Sequence, residues 1–326
     1  MLGATPMEAK SQPALPDGEG WWFEPKWDGF RCLAFRQGDE VVLQAKSGKP
    51  LTRYFPEVVA RLRTVDARRF ALDGELLVRS GETWSFEALQ MRLHPAESRI
   101  RRLAAETPAV LALFDMLQSP RGEDLRAAPW TRRHKALDAF CARHGDAALT
   151  LTPGTDDRAL AQAWLDEGRL EGVVAKRMDG PYQEGERAMI KVKLARTADC
   201  VVGGFRYGTG SDLVGSLLLG LYDDAGRLNH IGFTAGIPAA DRPALTQRLE
   251  ALKGGPGFTG DAPGGPSRWS TERSAAWVPL KPELVAEVAF DHVSGGRLRH
   301  GARFVRWRPD KAPAQCRLDQ IASSLA

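Results

Sequence analysis

The chain has 326 residues, 43% hydrophobic and 26% charged, which is enough for two cored domains and too apolar for disorder. Its formal net charge of +4 is mildly basic and permits a polyanionic partner without demonstrating one. No apolar stretch approaches the roughly 20 residues needed to cross a bilayer, no basic head and apolar run opens the chain, and Cys32, Cys141, Cys200 and Cys316 form no CxxC pair. A cytoplasmic protein with buried reduced thiols, no zinc site and no disulfide framework is expected. Residues 21–45 read as paired strands about the turn Gln37-Gly38-Asp39, with Lys26 near the end of a strand. Phe55, Val58, Val59 and Leu62 recur at helical spacing, followed by a strand over 71–78 and a helix from Ser85. Residues 110–117 suit a buried strand, 131–144 and 157–167 helices, and 172–176 and 189–194 strands. After Thr197 the texture turns to short β runs, VVGGF, GSLLLGLYD and NHIGFTAGI, then a helix over 240–252 and last strands over 285–290 and 303–307. GGPGFTGDAPGGPS reads as a flexible loop of low complexity. The count fits a small five-stranded barrel of the OB type behind a mixed first domain.

The run EPKWDGFR, residues 24–31, places Lys26 in a fixed frame with Asp28, Gly29 and Arg31, a pattern suited to attacking a nucleotide phosphate. A lysine amine is nucleophilic only when deprotonated, so such a residue needs a desolvated pocket or neighbouring cations. Gly29 allows close backbone approach, and Trp27 and Phe30 can wall the site. The plain alternative is an amphipathic strand with a solvated lysine and arginine. ALDGELLV sets Asp73 and Glu75 on one face of a strand, where two carboxylates suit a divalent cation, although Asp73-Gly74 reads equally as an exposed tight turn. EGVVAK places Glu171 and Lys176 at the two ends of an apolar strand, and IKVKL puts Lys191 and Lys193 on one face. By periodicity alone two such lysines more often mark a solvated edge. Gathered around Lys26, these lysines would bind phosphates while Glu75 and Glu171 held Mg2+. ALFDML offers Phe114 as a flat platform for an adenine ring, or simply as core, beside Asp115. RFVRWRPDK concentrates Arg303, Arg306, Arg308 and Lys311 against the lone acid Asp310, fit for a leaving pyrophosphate or for a basic surface strand that touches nucleic acid.

In their order these runs resemble the motifs of the covalent nucleotidyltransferases, and specifically of the ATP-dependent DNA ligases. KWDGFR resembles motif I, DGE at 73–75 motif III, LFD at 113–115 motif IIIa, EGVVAK at 171–176 motif IV, KVK at 191–193 motif V and RPDK at 308–311 motif VI. The resemblance runs from Glu24 to about Arg317, and length and local runs are similar to the small bacterial ligases of the ligase C type. It implies an α+β fold: an adenylyltransferase domain of antiparallel sheets with flanking helices over residues 1–195, then a C-terminal OB-fold β-barrel over 196–326. It further implies that Lys26 takes AMP from ATP as a covalent lysyl adduct, passes it to a DNA 5′-phosphate, and that the nick is then sealed by the 3′-hydroxyl. Glu24 would contact adenine, Phe114 would stack on it, and Arg31 and Glu75 would hold the ribose side. Glu75 and Glu171 would carry Mg2+ or Mn2+, while Lys176, Lys191 and Lys193 would complete the nucleotide site. Arg308, Asp310 and Lys311 would orient pyrophosphate, and Asp28 would assist later chemistry.

Two positions depart from the family pattern: Ala45-Lys46 stand where Ser-Arg is frequent, and Met189 where a tryptophan commonly precedes motif V. Neither removes a catalytic group. With only about twenty residues expected ahead of the first strand, no extra N-terminal DNA-binding domain is foreseen, so nicked duplex DNA would be held by phosphate contacts from residues such as Lys46, Arg53 and Arg306. A monomer is expected, cytoplasmic and nucleoid-associated, with no membrane partner and with repair proteins as candidate partners. The competing readings are an RNA ligase, a GTP-using capping-type nucleotidyltransferase, or an inactive nucleic-acid-binding module that keeps the fold.

Overall fold

The computed structural model describes residues 3–81, 83–167, 170–194, 196–264 and 276–322. The chain divides into two units, Met1–Leu194 and Ala195–Ala326. In chain order the first carries β1 (Ala9–Ser11), β2 (Trp21–Pro25), β3 (Phe30–Gln37), β4 (Glu40–Ala45), α1 (Pro56–Arg63), β5 (Arg69–Ser80), β6 (Thr83–Trp84), α2 (Phe86–Met91) and α3 (Glu97–Glu106). It continues with β7 (Ala109–Gln118), α4 (Trp130–His144), β8 (Leu149–Leu151), α5 (Arg158–Asp166), β9 (Gly172–Arg177) and β10 (Met189–Lys193).

Two sheets result, one in the order β4-β3-β5-β7-β8 with β6 on the side, the other β1-β10-β9-β2. Strand alternation explains how they stack. In β3, Cys32 and Ala34 face the helix-covered core with Val58 and Leu62 of α1, while Leu33 and Phe35 face the other way, into a layer shared with Met7, Tyr182 and Met189. In β5, Phe70, Leu72, Leu76 and Val78 enter the first core, which leaves Asp73 and Glu75 on the opposite face. In β10, Ile190 and Val192 enter a third core with Phe23, Val173 and Leu165, which turns Lys191 and Lys193 to the reverse side. Two glycines fix close approaches: a Cβ at Gly29 would lie 2.3 Å from the Leu76 carbonyl oxygen, and one at Gly74 2.6 Å from that of Ala112. Gly74 adjoins a register shift in the β5–β7 ladder.

The second unit runs β11 (Arg196–Tyr207), β12 (Val214–Tyr222), β13 (Leu228–Thr234), α6 (Arg242–Glu250), β14 (Val278–Pro279), β15 (Val285–Phe290), β16 (Val293–Ser294), β17 (Arg297–Leu298), β18 (Arg303–Trp307) and α7 (Asp319–Ala322). Five strands pair antiparallel as β13-β12-β11-β15-β18. Instead of a closed ladder, one parallel bridge between Thr234 and Ala302 joins the end of β13 to the start of β18, with Ala302 N–H donating to the Phe233 carbonyl at 2.8 Å. That is a curled, partly open sheet of the OB type.

Several expectations change. The first strand is β1, which pairs parallel with β10 at Ala9–Met189 through Ser11–Lys191, so the N-terminal segment is part of a sheet. Three residues give too short a periodicity to be read from sequence. Helix α3 was not foreseen beside α2, whose start at the Ser85 cap was, with Ser85 Oγ accepting from Ala88 N–H at 3.1 Å. The described part of the glycine-rich run, 254–264, is not loose: Phe258 is buried in the core of the second unit and a Cβ at Gly255 would lie 2.1 Å from Lys281 N. Residues 265–267 of that run, and the expected domain boundary at 195, lie outside the described residues. Of the four cysteines Cys32, Cys200 and Cys316 are buried, and Cys141 is half-buried.

Candidate active site

At the end of the layer between the two sheets lies a cavity of about 210 Å3. Each sheet supplies one wall: Arg31 from β3, Glu75 from β5 and Phe114 from β7 on one side, Glu24 from β2, Lys176 from β9 and Lys191 from β10 on the other. Lys26, immediately after β2, points its amine at the Glu171 carboxylate, and its backbone N–H donates to the Gly172 carbonyl at 2.9 Å. Glu171 also stands 3.6 Å from Lys193 Nζ. Trp27 lines the cavity and its indole N–H donates to Thr152 Oγ1 at 3.1 Å, whereas Phe30 packs edge-on against Phe86 and lines an adjoining groove instead. Asp28 is half-buried beside the lysine.

The most deeply buried charges of the site are paired. Arg31 donates Nε and Nη2 to the two oxygens of Asp73, both at 2.6 Å, and Tyr182 OH donates to the same carboxylate at 2.6 Å. Asp73 is fully buried, so the DGE run is no exposed turn. Arg31 and Lys176 each lie 4.6 Å from the centroid of the Phe114 ring, so the ring is flanked by positive charge. Lys176 Nζ reaches Glu24 at 2.7 Å and the Phe114 carbonyl at 2.9 Å, and it is one of the few fully buried lysine or glutamate side chains described. Asp115, adjacent in sequence to Phe114, is instead locked to buried Arg133 at 2.8 and 3.1 Å. It belongs to the scaffold.

Burial sets the proton affinities. It pushes the Glu24 carboxyl up to about 7 despite the opposing pull of Lys176. It pushes the Glu75 carboxyl up to about 8, against Arg31 and Lys26 and helped by Asp73 and Glu171. The Lys191 ammonium is held below the ordinary lysine range, first by burial and then by Lys193, Lys26 and Lys46. Four lysines close enough to repel make a site that favours an anion.

Of the remaining residues singled out in the sequence, Lys46 lines both the cavity and the groove, pairing with Glu8 at 3.0 Å. Arg53 is exposed outside both, donating to the Pro95 carbonyl at 2.9 Å. Arg306, Arg308, Asp310 and Lys311 belong to the second unit. There Arg306 pairs with Glu287 at 2.6 Å, and Arg308 is shared between Asp310 and Asp199, the latter accepting two bonds from Nη1 at 2.8 and 2.9 Å. Lys311 donates to Asp199 at 2.7 Å, and Arg308 draws the Asp310 carboxyl down to about 2. Sequence reasoning missed Asp199, although a lone acid in the strand run TADCVVGGF signals a buried partner. It also missed Met7 and Glu8, whose part in the cavity depends on a three-residue parallel pairing.

Comparison with known proteins bears on this constellation. A family described as "ATP dependent DNA ligase domain" matches residues 4–193, and one described as "ATP dependent DNA ligase C terminal region" matches 210–311. The chain is 44% identical to DNA ligase C1 of Mycolicibacterium smegmatis over 98% of its own length and 94% of that protein. It is 42% identical to DNA ligase C of Mycobacterium tuberculosis over 100% and 95%. A solved Lig E DNA ligase shares the fold at a TM-score of 0.58 and 17% identity, covering 93% of this chain and 99% of that one. With both family matches in sequence order and full-length relatives above two-fifths identity, the chain belongs to the ATP-dependent DNA ligases.

Proposed function

We propose that this enzyme seals nicks in duplex DNA through a covalent lysyl-AMP on Lys26. The observation that carries the reading is the Lys26 amine standing against Glu171 in a cavity walled by Phe114, Glu24 and a cluster of lysines. In the first step the deprotonated amine forms an N–P bond with the α-phosphate, the bond between the α-phosphorus and the bridging oxygen breaks, and pyrophosphate leaves. Lys191 and Lys193 offer positive charge to the phosphates, Glu24 and Lys176 face the base, and Arg31, held by Asp73, supports the ribose side with Glu75. In the second step the DNA 5′-phosphate displaces Lys26 from the adenylate. In the third the 3′-hydroxyl attacks that phosphate and AMP departs, with Asp28 assisting.

Glu75 and Glu171 are hard oxygen donors, and the Glu171 charge adds to the burial that disfavours ionised Glu75, a repulsion that a divalent cation would relieve. Bound there, Mg2+ or Mn2+ would neutralise developing phosphate charge. Arg308, Asp310 and Lys311 orient pyrophosphate in the first step. Lys46, Arg53 and Arg306 contact the DNA backbone. For Lys46 the support is the groove of about 890 Å3 beside the cavity, whose walls also carry Lys49 and Tyr54. The protein acts as a monomer in the cytoplasm, at the nucleoid, in repair.

Incubation with α-labelled ATP and then with unlabelled nicked duplex tests this. Label is expected first on protein, then on DNA, and Lys26→Ala should show neither. Label retained on Lys26→Ala would refute the nucleophile; preference for GTP, or for RNA ends over a DNA nick, would replace the substrate assignment.

A further inference from the structure

Residues 84–86 lay two aromatic rings on the run that carries the nucleophile. Phe86 meets Phe30 with ring centroids 5.4 Å apart at 87°, and Trp84 meets Trp27 at 6.0 Å and 73°. Phe86 packs against the first core, half-buried. Trp84 does not: 37% of its surface stays exposed, although an indole is among the side chains with most to gain from burial. A short hairpin holds it there, in which β5 and β6 pair antiparallel at Arg79–Trp84 and Ser80–Thr83 and Gly81 turns at a φ of +64°. The cross-strand partner Arg79, itself exposed, sets its guanidinium 4.6 Å from the centroid of the Trp84 ring. On the inner side Trp27 lines the nucleotide cavity, follows Lys26 in sequence and is fixed by its bond to Thr152. An exposed indole with a cation against it therefore stands one ring away from the cavity of the reactive amine.

We propose that Trp84 and Arg79 bind the nicked strand: the indole packs against the base of the nucleotide that carries the 5′-phosphate, and the guanidinium pairs with a neighbouring backbone phosphate. This rests on the reading of Lys26 as the adenylate carrier. The 5′-phosphate must reach that adenylate, which brings its own nucleotide towards Trp27 and Trp84. Aromatic and cationic groups serve nucleic acids together because every base offers a π face whatever its identity, while the cation supplies attraction to the backbone. The contact is thus indifferent to sequence. A ring that served only to cover Trp27 would be more stable tucked in, as Phe86 is over Phe30.

The test follows AMP transfer from the preformed lysyl adduct to DNA below saturation, on an intact nick and on one whose 5′-phosphate nucleotide is abasic. On the intact nick Trp84→Ala should be slower than the wild type by about tenfold or more, the scale of removing an aromatic ring from one base. On the abasic nick the two should agree within about twofold, since the base that distinguishes them is gone. Adduct formation from ATP should also stay within about twofold, because Trp84 does not line the nucleotide cavity. Arg79→Gln should reduce the slope of log affinity against log salt for nicked duplex by roughly 0.9, one phosphate contact. Transfer by Trp84→Ala at the wild-type rate on the intact nick overturns the inference. So does a loss of the same factor on both nicks, or an equal loss in adduct formation, since either makes Trp84 only a prop for Trp27. An unchanged salt slope in Arg79→Gln overturns the pairing with phosphate. A wild type that forms no adduct sinks the underlying site assignment instead. Should Trp84→Ala fail to fold, Trp84→Leu, which keeps apolar bulk against Trp27 without an aromatic face, decides by the same comparison.

Discussion

Lys176→Met removes the cation from the most buried pair in the site, and its cost should depend on pH in a calculable way. Glu24, also buried, has its carboxyl pushed up to about 7 by burial, against the pull of Lys176 at 2.7 Å. A carboxyl whose folded value lies above the unfolded one, 4.5, stabilises the fold fully below that lower value and loses the contribution as pH climbs through the folded value. In the wild type, stability therefore falls by about 1.4 kcal/mol per pH unit across that window and then levels off, because above it Glu24 is ionised and paired. In Lys176→Met the main pull on Glu24 is gone and only the weaker pull of Arg31 remains, so the fall continues to higher pH. At about pH 6, where Glu24 is mainly neutral in both proteins, the variant loses little more than a hydrogen bond, about 1 kcal/mol. By about pH 9 the difference reaches roughly 3–4 kcal/mol, inside the range for orphaning one member of a buried ion pair. Urea denaturation of both proteins, followed by circular dichroism across that pH range, measures it. A difference that is constant or shrinks towards high pH would show that Lys176 does not hold the Glu24 carboxyl down.

Asp73→Asn leaves the Arg31 guanidinium without its two 2.6 Å bonds to a carboxylate and should cost about 3–5 kcal/mol in the same denaturation assay; under 1 kcal/mol would mean that water replaces Asp73. Gly29→Ala drives a methyl to 2.3 Å from the Leu76 carbonyl, so the turn carrying Lys26 must shift; adduct formation should fall at least about tenfold, and a variant with normal adduct yield contradicts the tight approach. Asp199→Asn removes the charge that holds Arg308 and Lys311 side by side. Adduct formation from ATP should slow about tenfold or more while sealing of a pre-adenylylated nick stays within about twofold, and equal losses in both steps would mark Asp199 as merely structural. Raising salt from about 50 to about 300 mM should weaken nick binding by orders of magnitude whatever the sequence, and sealing indifferent to salt would count against backbone contacts.

The residues that the structure gathers around Lys26 were legible as candidates because each stands in a short run of charged side chains at fixed spacing. Glu75, Lys191 and Lys193 stand in strand runs whose alternation assigns each a face, while Lys26 and Glu171 flank the ends of β2 and β9. Alternation also exposed the cores, since Ile190 and Val192 must be buried if Lys191 and Lys193 are not. What local pattern left open was the meaning of isolated charges. Asp73 read as a possible exposed turn and is fully buried under Arg31 and Tyr182, residues 42 and 109 positions away. Asp115 read only as the acid beside Phe114, with no partner named, and it turns to buried Arg133. The three-residue β1, which brings Met7 and Glu8 to the cavity, has no signal of its own because its hydrogen bonds go to β10, about 180 positions later. Sequence thus determined which groups exist and which side of a strand each occupies, for those follow from covalent geometry. Only the tertiary structure decided which charge meets which, because pairing energy depends on distance and burial, and both are settled by contacts between segments far apart along the chain.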